Sequence, residues 1–376
     1  MVGRFSRDRL MAIAVLLPSV ILLAIFVYGF IAQTVYYSLT DWATMQENPT
    51  INFIGTRNYV DLFTNNTNLS NLRFRISLTN TIFFTLFFIA LCLILGLALA
   101  ILLDQKIRGE SIFRTIFLFP MALSFVVTGT VWRWLFNPRS GFNTLPTVVG
   151  SPPLPPQQFP WMTDTRTGLN FSWGAAVHII ILLVVVGFIV VAVRAAMKRR
   201  PGAAVIAGIA AASLVGWFFL SGLSDAFMQV SASKLYGLNY ALFTVVVAAV
   251  WQMSGYTMAM YLAGLRGIPE ELREAARVDG CNEWGVYRHV VLPLLQPITL
   301  SAIIILGHIS LKIFDLVFVM AGANNLYMDV PGVQMWTQFR GNNFSYGAAI
   351  AVVMLVLVAL VIVPYLISQL RSSEAR

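Results

Sequence analysis

The chain has 376 residues, of which 58% are hydrophobic and 11% are charged. Soluble domains carry about 25% charged residues, so this composition excludes an ordinary soluble protein and indicates a mostly helical integral membrane protein. The 2 cysteines and 3 histidines are too few for a disulfide framework or a clustered zinc site.

Eight apolar stretches are long enough to cross a bilayer, since a helical span needs about 20 residues. The first is interpreted as an uncleaved anchor, because its apolar run is long for a signal peptide and no small-residue cleavage site follows. The sequence therefore predicts an all-α membrane protein with about eight transmembrane helices, at 11–32, 79–103, 115–136, 174–193, 203–223, 241–262, 294–320 and 346–370.

Lys and Arg are unevenly distributed over the loops, in a chain whose net charge is +9. With the N-terminus inside, the inner segments carry more than twice as many Lys and Arg as the outer loops. This bias predicts that both termini and the 263–293 loop are cytoplasmic. The stretches 174–193 and 203–223 support this orientation. Two crossings return the chain to the outer side, so the 263–293 loop stays cytoplasmic, and the linker between them is basic, as an inner turn should be. A re-entrant or packed hairpin is the alternative for this pair.

The order of these segments divides the chain into four sections. Residues 1–78 hold the N-terminal anchor helix and an outer loop, and 79–136 hold the second and third core helices. Residues 137–235 hold a proline-rich outer loop and an extra transmembrane hairpin, and 236–376 hold the remaining core helices with the cytoplasmic loop 263–293. Paired prolines at 152–153 and 155–156 predict an extended or irregular outer loop. For each long outer loop, both a plain connector and a contact with an external partner remain open.

The polar segment 268–293 lies between two apolar stretches, and its residues follow the order expected of short, capped helices. Pro269 fits the first position of a helix, where a missing N–H costs nothing. Three acids then lie near the positive N-terminal end of that helix, namely Glu270, Glu271 and Glu274. The segment is predicted to begin with a short helix.

The same segment also carries the signals that end one helix and begin another. Gly280 can adopt the left-handed turn that ends a helix, Asn282 can cap a second short helix, and Pro293 can open the next span. Ala275 and Ala276 have small side chains, so the surface of another protein can approach the first helix closely.

These residues resemble the EAA loop of a known family. The pattern is Glu274-Ala275-Ala276, then Asp279-Gly280, then Val290-Val291-Leu292-Pro293, and it is similar to the loop that marks the membrane subunits of binding-protein-dependent ABC importers. Cys281 stands where the family usually has alanine, and Val290 where it often has isoleucine.

Further stretches resemble the carbohydrate branch of that family, in the larger maltose-type permease subunits. They are Trp251 to Leu265, Ile313 to Met320 and Tyr346 to Ala349. The resemblance covers 241–370 well and extends to 11–136, whereas 142–235 fits poorly. It implies a six-helix importer permease core with an extra inserted helical hairpin whose role is open.

The resemblance implies a mechanism in which the EAA loop supplies a helix that docks on an ATP-binding subunit. The residues implied in this coupling are Glu271, Glu274, Ala275, Ala276, Asp279 and Gly280. The chain carries no G-x-x-x-x-G-K-[ST] motif that would cradle ATP phosphates, so we expect a transport subunit that is no enzyme and binds no cofactor or metal. ATP and Mg are expected on the partner ATPases.

The implied partners are a second permease, two ATP-binding subunits and an external solute-binding protein, in the inner (plasma) membrane of a prokaryotic cell. No nucleic acid is expected to bind. ATP can drive such an assembly only if it binds one conformation better than the other, and a short capped helix transmits that difference better than a coil.

Polar residues within the predicted spans are candidates for the solute path, because such residues are costly in a bilayer and often functional. They are Tyr256, Gln252, His308, Lys312 and Asp315. His308 and Lys312 share a helix face, and Lys312 and Asp315 are spaced to pair. A structural ion pair with a satisfied histidine is the alternative for these three.

By resemblance to the maltose-type subunits, Tyr256 matches a tyrosine that contacts the sugar. Lys312 lies near the position of a sugar-contacting asparagine, so the residue type differs there. The implied cargo is a sugar of the maltose, trehalose or α-glucoside type. Glycerol phosphate or a polyol is the alternative within the class. A secondary transporter would favour inverted repeats, and a membrane enzyme a cluster of catalytic groups within the spans; neither feature is evident.

Overall fold

The computed structural model is a helical protein with one small β-ribbon. It describes residues 7–45, 51–64, 69–105, 108–145, 159–162, 164, 166–170, 173–197, 201–220 and 237–374. The proline pairs at 152–153 and 155–156, where an extended or irregular loop is predicted, lie outside the described residues. The all-α membrane class is confirmed, since long apolar helices make up most of the described chain.

The helices before the inserted section run in chain order from the anchor to a bent pair. They are α1 (Arg7–Leu23), α2 (Phe30–Ser38), α3 (Arg57–Thr64), α4 (Leu69–Asp104), α5 (Glu110–Ala122) and α6 (Phe125–Leu135). A π-helical turn, Ala24–Gly29, joins α1 to α2, and a 3-10 turn, Gly141–Thr144, follows α6.

The inserted section and the C-terminal part follow. Their elements are β1 (Thr167–Asn170), α7 (Trp173–Met197), α8 (Pro201–Leu220), β2 (Gly237–Asn239), α9 (Tyr240–Arg266), α10 (Glu270–Val278), α11 (Glu283–Val286), a π-helical turn (Tyr287–Val291), α12 (Leu292–Leu294), α13 (Gln296–Leu311), α14 (Asp315–Ala321), α15 (Pro331–Arg340) and α16 (Phe344–Glu374). The strands β1 and β2 pair antiparallel.

The number of membrane spans among the described residues is five, or up to seven if each of two bent helix pairs counts as one span. The count of eight is therefore not confirmed. The predicted span 115–136 is bent and not one straight helix, because α5 and α6 meet at 98°. Leu123 is extended at this bend, and the side chain of Ser124 caps α6 by accepting a hydrogen bond from the Val127 amide.

The predicted span 294–320 is also interrupted. The apolar helix α13 begins at Gln296, after a bend of 62° from the helix that starts at Glu283, and it ends at Leu311. A new helix, α14, starts at Asp315. The apolar pattern hid this break because the residues on both sides of it are hydrophobic.

The main core surrounds α9, which packs along α4 and touches α5, α6, α13 and α14. Close approach depends on glycine at two positions. A Cβ at Gly96 would lie 2.2 Å from the Thr257 hydroxyl oxygen, and a Cβ at Gly255 would lie 2.0 Å from the Phe117 carbonyl oxygen. Small residues let helix backbones approach closely in membranes, and α9 thereby becomes the central helix.

The inserted hairpin of α7 and α8 packs mainly on itself. The described side chains of α8 that are buried, Ala207, Ala211 and Phe218, share one face. The hairpin joins the core through the β1–β2 ribbon and the start of α9. The hairpin thus lies beside the main bundle, and the four-part division of the chain stays a prediction.

Candidate functional site in the EAA loop

The first helix of the EAA loop is α10, and it ends as its sequence predicts. Gly280 has a φ of +87°. Its amide donates to the Arg277 carbonyl at 3.1 Å, while the Cys281 amide donates to the Ala276 carbonyl at 3.0 Å. These two hydrogen bonds form a Schellman motif, which satisfies the last carbonyls of the helix. Pro269 precedes α10 as its N-cap residue, one position earlier than predicted.

The second helix begins at its predicted cap. The Asn282 side chain accepts a hydrogen bond from the Gly285 amide at 2.8 Å. The helix then passes through the π-helical turn and reaches Leu294 before it bends towards α13. Pro293 therefore lies inside this helix, and the prediction that it opens the next span is wrong by a few residues.

Arg273 clamps α10 to the ends of two membrane helices. Its guanidinium lies 3.1 Å from the Asp104 carboxylate at the end of α4, and it donates to the Leu265 carbonyl near the end of α9 at 2.8 Å. The two charged side chains are only 13% and 12% exposed. Because the pair is largely shielded from water, it holds α10 more firmly than a surface ion pair would.

Arg277 joins the two short helices of the loop. Its guanidinium donates to Glu283 at 2.8 Å and to Glu270 at 3.1 Å. The hydrogen bonds that Arg277 donates to Glu283 and then to Glu270 raise the pKa of Arg277. A cation bonded to acids on both sides of Gly280 holds α10 and α11 at a set angle. The loop is therefore a shaped unit tied to the membrane helices.

The face of α10 opposite this clamp is exposed. Glu271, Glu274, Ala275 and Val278 lie there, and Val278 is 87% exposed. Among the described residues, neither glutamate makes an ion pair or a hydrogen bond. An apolar side chain beside unpaired carboxylates is a surface that another protein can cover.

The residues predicted to act in coupling thus fall into two groups. Asp279 and Gly280 are exposed at the end of α10, whereas Ala276 is half-buried and packs against the core cluster around Leu262 and Leu265. Sequence reasoning missed Trp284, which is 68% exposed, and the Asp104 anchor. An isolated acid at the inner end of an apolar span, close to an arginine-rich loop, is the signal that could have identified Asp104.

Gly280 offers a test of the turn. No atom lies within 4 Å of a Cβ built there. The cost of Gly280→Ala therefore comes from the left-handed backbone conformation and not from a steric clash. We expect the substitution to destabilise the C-terminal turn of α10 by about 1–2 kcal/mol and to lower ATP-driven uptake severalfold. Gly280→Asn should retain more activity, since asparagine tolerates this conformation better. Equal activity of the two variants would contradict the role of the turn.

The candidate path residues on α9 have different surroundings. Gln252 is buried and donates to the Leu123 carbonyl at 2.7 Å, at the bend between α5 and α6. Its side-chain oxygen is buried without a partner among the described groups. Tyr256, one turn further, is half-buried and packs against the main core. Gln252 therefore supplies a donor to a backbone carbonyl at the bend between two helices. The hydroxyl of Tyr256 makes no hydrogen bond to the described residues.

The other three path candidates lie at the interruption after α13. His308 is half-buried in the last turn of α13, Lys312 follows that helix as its C-cap, and Asp315 starts α14. Lys312 and Asp315 are exposed, and no ion pair joins them in the described part of the chain. The predicted pairing is wrong, because it assumed one continuous helix. Across the described residues, no cluster of His, Cys, Asp or Glu could hold a metal ion.

A bundle of apolar helices that carries a structured EAA loop is the fold and site of an importer permease, and comparisons support this class. The family model described as "Binding-protein-dependent transport system inner membrane component" matches residues 205–372. A probable ABC transporter permease protein of Pyrococcus horikoshii, PH1215, is 33% identical over 99% of both chains. The chain belongs to this family of inner membrane permease components.

Two further similarities bear on the fold and the class. The xylose/arabinose import permease protein XacH of Haloferax volcanii is 29% identical, over 93% of this chain and 84% of its own. A subunit in the crystal structure of a bacterial alginate ABC transporter, in complex with an alginate-bound periplasmic protein, has a TM-score of 0.59 and 17% identity, with 95% and 94% of the two chains covered. The latter shows the likeness of the folds.

Proposed function

We propose that this chain is a membrane-spanning permease subunit of an ATP-driven importer that carries a sugar. The observation that carries the proposal is the EAA loop, whose exposed face bears Glu271, Glu274 and Val278 and whose opposite face is clamped to α4 and α9 by Arg273. A rigid element with one free face and one anchored face can convert a movement of its partner into a movement of the spans.

The energy for transport is proposed to come from two separate ATP-binding subunits. The chain itself acts as a transport component. A second permease completes the membrane path, an external binding protein delivers the solute, and the EAA loop and both termini face the cytoplasm. The family match supports this assembly, because its description specifies dependence on a binding protein.

The cargo is proposed to be an α-glucoside of the maltose or trehalose type. Tyr256 supports a sugar, because an aromatic ring can cover the C–H face of a pyranose and a free hydroxyl can bond to its polar groups. A phosphorylated cargo would need several cations along the path. Lys312 is the one cation among the candidate path residues, which disfavours glycerol phosphate.

Reconstitution tests the proposal directly. The chain is expressed together with a partner permease, an ATPase and a solute-binding protein from the same organism, and vesicles that contain the complex are loaded with ATP. Uptake of radiolabelled maltose, trehalose, xylose, arabinose and glycerol phosphate is then measured. We expect ATP-dependent uptake of an α-glucoside, whereas uptake driven by an ion gradient without ATP would identify a secondary transporter and overturn the proposal.

Tyr256 is expected to control the affinity for the sugar. Tyr256→Phe keeps the ring and removes one hydrogen bond, so the KM for uptake should rise by about three- to tenfold, the equivalent of about 1 kcal/mol. Tyr256→Ala should raise KM further. His308→Asn provides a comparison at another candidate position. An unchanged KM in Tyr256→Ala would exclude Tyr256 from the path.

A further inference from the structure

A cavity of about 650 Å³ lies at the helix ends remote from the EAA loop. It is enclosed by the end of α6, the first turns of α9, residues 159–161, and the side chains of Asp164 and Arg166. Tyr240, Phe243 and Val247 line it from one face of α9. Tyr256 lies about 160° around that helix from Tyr240, so the cavity is separate from the proposed sugar path.

The walls of the cavity are aromatic and held in place before any ligand binds. The Phe136 ring lies 5.2 Å from Trp132 and 5.6 Å from both Phe142 and Trp161, measured between ring centroids. Asn143, which is 1% exposed, accepts a hydrogen bond from the Trp161 indole at 2.7 Å and donates to the Phe159 carbonyl. A buried amide thus fixes the segment that covers the cavity.

The charged groups that line the cavity among the described residues are Asp164 and Arg166, which form an ion pair with a distance of 2.6 Å. The hydrogen bonds from Arg166 lower the pKa of Asp164. The Arg166 guanidinium also lies 5.3 Å from the centre of the Tyr240 ring, and its side chain is 75% exposed. The cavity therefore has apolar walls and an ion pair at its rim, in which the guanidinium is the more exposed of the two charged groups.

This distribution of polarity selects the type of ligand. A sugar site needs several convergent polar groups, and these walls are mostly aromatic carbon. From Tyr240 to Val247 the cavity extends about 10 Å along α9, which reaches from the end of a span towards the hydrocarbon layer. Tyr240 and Phe243 are 53% and 38% exposed, so the mouth opens on the outer surface of the described bundle.

We propose that this cavity binds the hydrocarbon chain of a membrane phospholipid, with the lipid phosphate beside Arg166. The chain gains close van der Waals contact with rigid rings, and the phosphate gains a charge-assisted hydrogen bond from a guanidinium. The cavity lies where the β1–β2 ribbon joins the inserted section to α9. The bound lipid therefore fills the junction between the core and the inserted section.

Photo-crosslinking in membrane vesicles tests this proposal with the full chain. The probes are phosphatidylcholine and phosphatidylglycerol, each with a diazirine near the end of one acyl chain, and crosslinked peptides are identified by mass spectrometry. We expect both lipids to label the peptides with Trp161 and with Tyr240 to Val247. Labelling of the exposed apolar surface of α16 serves as an internal reference for incorporation.

Variants distinguish a specific site from general contact with lipid. Val247→Trp, and the milder Val247→Phe, should fill the cavity and remove the labelling of these peptides. Arg166→Gln should lower it by about tenfold, the effect of one lost charge-assisted hydrogen bond, whereas Arg139→Gln, an exposed control on the preceding loop, should leave it unchanged. Equal labelling in the filled variants, or protection by maltose, would overturn the proposal.

Discussion

Glu274→Lys is expected to abolish ATP-driven uptake while the chain remains in the membrane. Glu274 is exposed on the free face of α10 and has no bonding partner among the described residues, so its replacement leaves the fold of the loop intact. If an ATPase subunit covers this carboxylate, loss of the contact costs about 2 kcal/mol or more, a factor of about 30 in affinity. The reversed charge adds repulsion.

The measurement compares uptake, ATPase activity and copurification of the ATPase subunit in the same vesicles. We expect Glu274→Lys to lose uptake together with the stimulation of ATP hydrolysis by the solute-binding protein. Arg288→Glu, a charge reversal at an exposed residue in the π-helical turn, is the matched control and should keep both. Wild-type uptake by the Glu274 variant would remove α10 from the coupling mechanism.

Arg273→Ala is expected to loosen α10 from the membrane helices. The substitution leaves the Asp104 carboxylate without its cation and removes the side-chain donor to the Leu265 carbonyl. Removal of one partner of a buried ion pair costs about 3–5 kcal/mol, and this pair, at 13% and 12% exposure, should lie at or below the lower end. We expect uptake to fall by more than tenfold while the ATPase subunit still binds.

A double-mutant cycle separates this clamp from a docking contact. Arg273→Ala, Asp104→Ala and the double variant are compared for uptake per bound ATPase subunit. Because each single change should cost nearly as much as both, the coupling between the two positions should be large. Additive losses would contradict the clamp. Arg277→Ala, which breaks exposed pairs, should cost less.

The substitutions at Glu274 and Arg273 therefore predict different failures. Glu274→Lys interrupts the contact between subunits, whereas Arg273→Ala interrupts transmission from α10 into the spans. Copurification distinguishes them, because the ATPase subunit should be lost in the first variant and retained in the second. This separation depends on the geometry of α10, in which residues 273 and 274 point to different sides.

The fold class followed from composition and apolar length, and the ends of the loop helices followed from local chemistry. Gly280 and Asn282 act within a few residues of their own positions, so the sequence around them contains the required information. The family resemblance of the loop was confirmed for the same reason, since the motif is contiguous. Its functional role remains a proposal.

The helix breaks could not be predicted from the apolar pattern. Hydrophobicity reports whether a segment suits a bilayer and does not record a bend, so 115–136 and 294–320 were each predicted as one span. At the first break, Gln252 donates to the Leu123 carbonyl from a distant part of the chain. A partner so far away in sequence becomes visible only in three dimensions.

The sequence by itself determined that this protein is a helical membrane protein with a polar, capped loop of the EAA type, because those properties depend on composition and on neighbouring residues. Only the tertiary structure decided which face of that loop is free. It brought Asp104 to Arg273 and left Glu274 exposed. The physical reason is that burial and ion pairing depend on contacts between segments, which the order of residues along the chain does not specify.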